Sequence, residues 1–121
     1  LPYMVKHRYG RFVYLSSIRA EIGGVGASIY SASKAFGERF FSTIGQEYGK
    51  LGVSATTIRM GFFEGKMIDT YDSEKRKFVI KSISNKRLGQ QKDLTEAINF
   101  CFENFYLNGG KVDLNGGLTY G

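Results

Sequence analysis

The sequence predicts an α/β fold built on a parallel sheet. Two strand-length runs are rich in aromatic and β-branched residues, "GRFVYLSS" at 10–17 and "VSATTIRM" at 53–60. A long helical segment lies between them. A second strong helix leads to a short last strand, "KVDLNGG". Strands that alternate with helices are joined by crossovers, and crossovers set neighbouring strands parallel.

The first run follows Gly10 and reads as a strand buried on both faces. In "IRAEIGGVGAS" the crowded glycines predict a loop, with Ser28 as N-cap of the next helix. From about Ile29 to Tyr48 the pattern is helical: Ala32, Phe36, Phe40 and Ile44 recur every four residues as an apolar stripe, and Gly49 suits the C-terminal cap. "VSATTIRM" reads as a second buried strand. "GFFEGKMIDTY" lacks a stable period and predicts a loop. A weaker helix is expected from Ser73 to about Ser84, with Ser73 as cap and Phe78 and Ile83 facing inward. In "DLTEAINFCFENFYL", Leu94, Ala97, Ile98, Cys101, Phe102 and Phe105 mark one face of an amphipathic helix, which makes Cys101 a core thiol rather than a nucleophile.

Composition narrows the function classes. The chain has 121 residues, one domain's worth, and is 42% hydrophobic, so it is globular rather than disordered. One cysteine allows no internal disulfide, and a reducing, cytoplasmic setting is expected. No apolar run approaches the roughly 20 residues that span a bilayer, and no signal peptide is visible, so no membrane partner is expected. The net charge of +6 is concentrated in "SEKRKFVIKSISNKR". Without aromatics spaced for base stacking, the run reads as a solvated helix face, and no nucleic-acid partner is expected. One Cys and one His give no zinc-finger spacing, and no metal site is expected.

Ser17, Tyr30 and Lys34 are either ordinary strand-loop-helix punctuation or one piece of chemistry. Residues four apart share a helix face, which makes Tyr30 and Lys34 neighbours. A phenol with a reference pKa of about 10 is a poor base at neutral pH, and an adjacent ammonium favours its ionised form. A phenol tuned in this way exchanges a proton with a substrate oxygen. Ser17 ends a strand, and the loop after it can fold back to hold the same oxygen. Such a trio suits interconversion of a carbonyl and an alcohol.

The motifs "YLSS", "YSASK", "IRMGFFEGKM" and "RLGQQKDLTEAINFCFEN…GGKVDLNGGLTYG", in that order, resemble the C-terminal half of a short-chain dehydrogenase/reductase of the type typified by 3-oxoacyl-acyl-carrier-protein reductases. The resemblance covers nearly all of 1–121. It implies the second half of a doubly wound, Rossmann-like parallel sheet, with the half that carries the dinucleotide fingerprint and the family's catalytic Asn absent. It also implies NAD or NADP as cofactor, a small carbonyl or alcohol substrate, and homo-dimers or homo-tetramers with the Tyr-bearing helix at a subunit interface. By the same resemblance Tyr30 is the general acid/base, and Lys34 assists it and holds the nicotinamide ribose. Ser17, preferred to Ser16 by its spacing from Tyr30, orients the substrate, with Ile18 beside it. Gly61, Phe62 and Phe63 would flank the nicotinamide. The sequence departs from the family pattern twice: Met60 stands where Pro usually precedes Gly61, and Gly65 stands where a Thr commonly contacts the cofactor's carboxamide. The glycines of "GGVG" do not replace the fingerprint, because they do not follow the first strand of a βαβ unit. A second class of function stays open at this point: a non-catalytic fragment or self-associating module, since half a sheet leaves an open edge.

Overall fold

The structure, a computed structural model, describes residues 1–118. The end of the last quoted motif, 119–121, lies outside the described residues. A short helix α1 (Pro2–His7) leads into strand β1 (Gly10–Ser17). One helical turn, α2 (Arg19–Ile22), precedes the long helix α3 (Ser28–Tyr48), and a 3-10 turn (Gly49–Leu51) leads to β2 (Val53–Met60). Helices α4 (Lys66–Asp69), α5 (Ser73–Ser82) and α6 (Gln91–Glu103) follow, then β3 (Lys111–Leu114). The strands form one sheet of order β1-β2-β3, with both pairings parallel. This is the α/β architecture that the alternating pattern predicts.

Register places the functional end. Ser17 pairs with Met60, and Met60 pairs with Leu114, so the three strands end side by side. Their following loops therefore leave the sheet at one edge, the carboxyl edge where open α/β sheets bind ligands. β2 is buried from Val53 to Arg59 because it lies between both neighbours and under α3. β1 is only half-buried, contrary to the expectation of two covered faces: among the described residues it has one strand neighbour, and Leu15 remains exposed.

Helix α3 carries the largest correction. The stripe Ala32, Phe36, Phe40 does not face the sheet; Phe36 is 71% exposed and stacks on Phe40 with ring centroids 5.9 Å apart. Gly37, Glu38 and Gly45 take the buried face instead. A methyl group at Gly37 would collide with the Tyr14 ring of β1, so glycine permits the close approach. Asn108 holds the far end of the helix, donating to the Gly45 carbonyl at 2.9 Å and accepting from the Ala55 amide at 3.0 Å.

Local capping differs from the sequence expectation for physical reasons. Ala27, not Ser28, is the N-cap of α3, because the turn closed by its amide on the Gly24 carbonyl already feeds the helix. Gly49 is the C-cap but keeps helical angles; Gly52, at φ 85°, makes the left-handed turn into β2. The loops predicted at 18–28 and 61–71 each contain one helical turn, α2 and α4, closed by the Gly23-to-Arg19 and Asp69-to-Gly65 backbone bonds. Asp72, not Ser73, caps α5 by accepting from the Lys75 amide at 2.7 Å. Ile83 is buried as expected, but Phe78 is 73% exposed and Val79 packs with Ile68, Ile83 and Leu88 in its place. On α6 the predicted face holds for Leu94, Ala97, Ile98 and the buried Cys101, whose thiol burial pushes up in pKa. Phe102 and Phe105 are exposed. No helix among the described residues is long and apolar enough to cross a membrane.

Candidate active site

Ser17 is the last residue of β1, and Tyr30 lies in the first turn of α3 with Lys34 one turn on. All three line one cleft of about 310 Å³, whose opposite wall is the loop from Met60 to Ile68. Ser17 and Tyr30 also line an adjoining cleft of about 290 Å³, where Ile18, Val25, Phe62, Met67 and Tyr71 supply apolar surface. The trio picked out in the sequence is thus brought to one place. The two serines are distinguished by their partners. Ser16 is buried and donates from Oγ to Glu38 Oε1 at 2.7 Å. Ser17 is half-buried, and its Oγ accepts from the Arg19 amide at 3.2 Å, which leaves its hydroxyl hydrogen for a ligand.

Lys34 is held by its backbone surroundings. Its Nζ donates to the Leu15 carbonyl at 2.9 Å and lies 5.8 Å from the Tyr30 ring centroid and 5.4 Å from that of Tyr14. An ammonium has three donors, so two remain for other acceptors. Two phenols therefore stand near one cation, and their surroundings differ. Burial first, then the charge of Glu38 and the neighbouring Tyr30, push the Tyr14 pKa up, so Tyr14 stays neutral. Tyr30 is 43% exposed and is the phenol that a ligand in the cleft can reach.

Beyond β2 the chain crosses the mouth of the site. The Gly61 amide donates to the Leu114 carbonyl, and a methyl group at Gly61 would press on Asn115, so the loops after β2 and β3 lie against one another. Phe63 pairs with Gly89 in a bridge whose bonds run through the Phe62 carbonyl and the Glu64 amide. The bridge does not use the Phe63 amide and carbonyl. Gly65 has φ 153°, a backbone that a β-branched Thr rarely adopts. This backbone suits the glycine that stands where the resemblance expects a Thr.

Beneath the site lies a charge cluster that the sequence reading missed. Arg59 donates from Nε to Glu38 Oε1 at 3.0 Å and from Nη2 to Glu38 Oε2 at 2.8 Å. Its Nη1 pairs with Glu21 of α2 and lies 3.8 Å from Asp113 of β3, while Lys111 Nζ lies 3.5 Å from Glu38. Glu38 is only 5% exposed. Burial pushes its carboxyl up, but hydrogen bonds from Arg59 and Ser16 and the charges of Arg59 and Lys111 outweigh that and hold its pKa below the usual value. The Glu38 hydrogen bonds in turn raise Arg59 against its own burial. The available signal was spacing: Tyr30, Lys34 and Glu38 stand at intervals of four.

Comparison with known proteins decides the family. The family model described as short chain dehydrogenase matches residues 1–76, more than half of the chain and all of the Ser-Tyr-Lys region. The chain belongs to the short-chain dehydrogenase family. Among similar curated proteins is the acetoacetyl-CoA reductase of Allochromatium vinosum, 32% identical over 117 residues, which are 95% of this chain and 48% of the relative. A 3-oxoacyl-acyl-carrier-protein reductase of Vibrio cholerae is 29% identical over 117 residues, with the same two shares. The nodulation protein G of Azospirillum brasilense is 28% identical over 121 residues, 98% of this chain and 49% of the relative. The chain spans about half the length of the curated relatives it matches.

Proposed function

We propose that this chain is the catalytic, C-terminal half of an NAD(P)-dependent oxidoreductase that interconverts a carbonyl and a secondary alcohol. The observation that supports it is the meeting of Ser17, Tyr30 and Lys34 around one cleft at the carboxyl edge of the sheet. In this reading Tyr30 Oη passes a proton to the substrate oxygen as a carbonyl is reduced, and takes it back in the reverse direction. The Ser17 hydroxyl donates to the same oxygen and fixes the carbonyl's orientation. The Lys34 ammonium stands beside the Tyr30 ring, 5.8 Å from its centroid, on the same face of α3. Ile18 and Phe62, with Val25 and Met67, give the substrate an apolar wall. The names of the relatives point to 3-oxoacyl compounds as the substrate class.

The residues present fit the nicotinamide end of such a cofactor. Lys34 has donors to spare for ribose hydroxyls, and the half-buried Phe62 and Phe63 beside Gly61 offer a flat apolar wall with the Phe63 backbone groups at hand. The cofactor, when bound, supplies the hydride. The chain holds no glycine fingerprint at a helix N-terminus to take the pyrophosphate. Isothermal calorimetry of the 121-residue chain with NADH and NADPH is therefore expected to find no micromolar binding; tight binding would contradict the division of labour between two halves. In the full-length protein, Lys34→Ala is expected to weaken cofactor binding and turnover together. Loss of neither would remove Lys34 from the reading.

The cleft reading is joined by a second proposal, self-association into a homo-dimer or homo-tetramer, because Phe36 and Phe40 stack on the outer face of α3.

A further inference from the structure

We infer that Glu38 is a positioning residue for the Ser17–Tyr30–Lys34 site, acting through the buried bonds that tie α3 to the ends of β1 and β2. The inference rests on the catalytic reading of that site given above. Its basis is where the three anchored groups stand in the chain. Ser16, which donates to Glu38, is the residue before Ser17. Arg59, which grips both carboxylate oxygens, pairs with Ser16 across the sheet and lies two residues before Gly61. Glu38 itself is one helical turn after Lys34 and two turns after Tyr30.

One carboxylate therefore ties together three segments, and each of them carries part of the site. Apolar packing lets a helix slide or turn by fractions of an ångström, whereas a two-point Arg–carboxylate pair is directional. A buried ion pair is also weak evidence for stability, since apolar residues of similar volume often serve as well or better. Its contribution here is geometric: it sets the rotation and axial position of α3, and with them the reach of Tyr30 and Lys34 toward Ser17. The Lys34 bond to the Leu15 carbonyl lies in the same stretch of β1 and closes the frame from the other side.

The test compares Glu38→Gln, Ser16→Ala and Tyr30→Phe in the full-length protein, each confirmed as folded by near-ultraviolet circular dichroism at the assay temperature. Displacement of reacting groups by about 1 Å can cost on the order of 10²-fold. Glu38→Gln is expected to lower kcat by about that factor and to raise the cofactor's KM by a smaller one, because Tyr30 and Lys34 move together with α3. Ser16→Ala, which deletes one bond and no charge, is expected to misplace the site less and so to lower kcat by less than Glu38→Gln does. A folded Glu38→Gln protein with wild-type kcat and wild-type cofactor KM would overturn the inference. If Glu38→Gln does not fold, Ser16→Ala decides by the same readouts. An inactive Tyr30→Phe beside an unaffected Glu38→Gln removes the positioning role alone; an active Tyr30→Phe removes the catalytic reading and this inference with it.

Discussion

Helix α3 divides its aromatics between two faces: Phe41 packs on Phe12 and Tyr14 of β1, while Phe36 and Phe40 face away from the sheet. The face against the sheet presents Gly37, Glu38 and Gly45, while the face away from it presents Phe36 and Phe40. Hydrophobic period alone would place Phe36 and Phe40 inside as well. The inner face is decided by other forces: glycine lets the backbone approach Tyr14, and Glu38 finds Arg59 and Ser16 already buried. A residue's hydrophobicity says that it can be buried. Contact distance and charge pairing say which residue is.

Variants on the two faces sharpen this contrast. Glu38→Ala leaves the Arg59 guanidinium in the interior with only its outer partners Glu21 and Asp113. Removing one partner of a buried pair costs about 3–5 kcal/mol, and urea denaturation of the chain is expected to show a loss near the lower end of that range. A smaller effect follows from pH. The folded pKa of Glu38 is depressed, so its contribution is complete above the unfolded carboxylate value of about 4.3 and disappears as pH falls through the folded value. The exposed Asp93, held to about 2 by hydrogen bonds from Arg87 and the Gln90 amide, acts in the same direction. Thermal melts should therefore be steady from neutral pH to about 5 and fall progressively below it. A melting temperature that rises on acidification would contradict the Glu38–Arg59 arrangement. The smallest effect is expected on the outer face. Phe36→Ser with Phe40→Ser should change monomer stability by no more than about 0.5 kcal/mol each, while weakening any concentration-dependent association seen by sedimentation.

The sequence made the sheet legible and the side-chain facing only partly so. β2 was clear because Val53, Thr56, Thr57 and Ile58 are β-branched, and α6 because Leu94, Ala97, Ile98 and Cys101 share a face. β1 looked equally buried, yet edge position is a property of neighbours and not of its own residues. The turns α2 and α4 were hidden because a single helical turn has no period. At the site, the meeting of Ser17, Tyr30 and Lys34 at one cleft was expected from the Tyr–Lys spacing together with the family resemblance, and a physical difference between Ser16 and Ser17 appears only when Ser16 is seen bonded to Glu38. Glu38 and Arg59 went unread because they lie 21 positions apart in sequence, and only the crossover of α3 brings them together.

The most direct test of the account is steady-state kinetics of Tyr30→Phe in the full-length protein with a panel of 3-oxoacyl and other carbonyl substrates, alongside cofactor titration of the same variant. Phe keeps the ring and its packing and removes only the oxygen proposed to exchange the proton. Acid–base catalysis of this kind contributes about 10²–10⁴-fold, so kcat should fall by at least that much while cofactor affinity stays close to wild type. Turnover near the wild-type rate would contradict the assignment of Tyr30 as the proton-exchanging group.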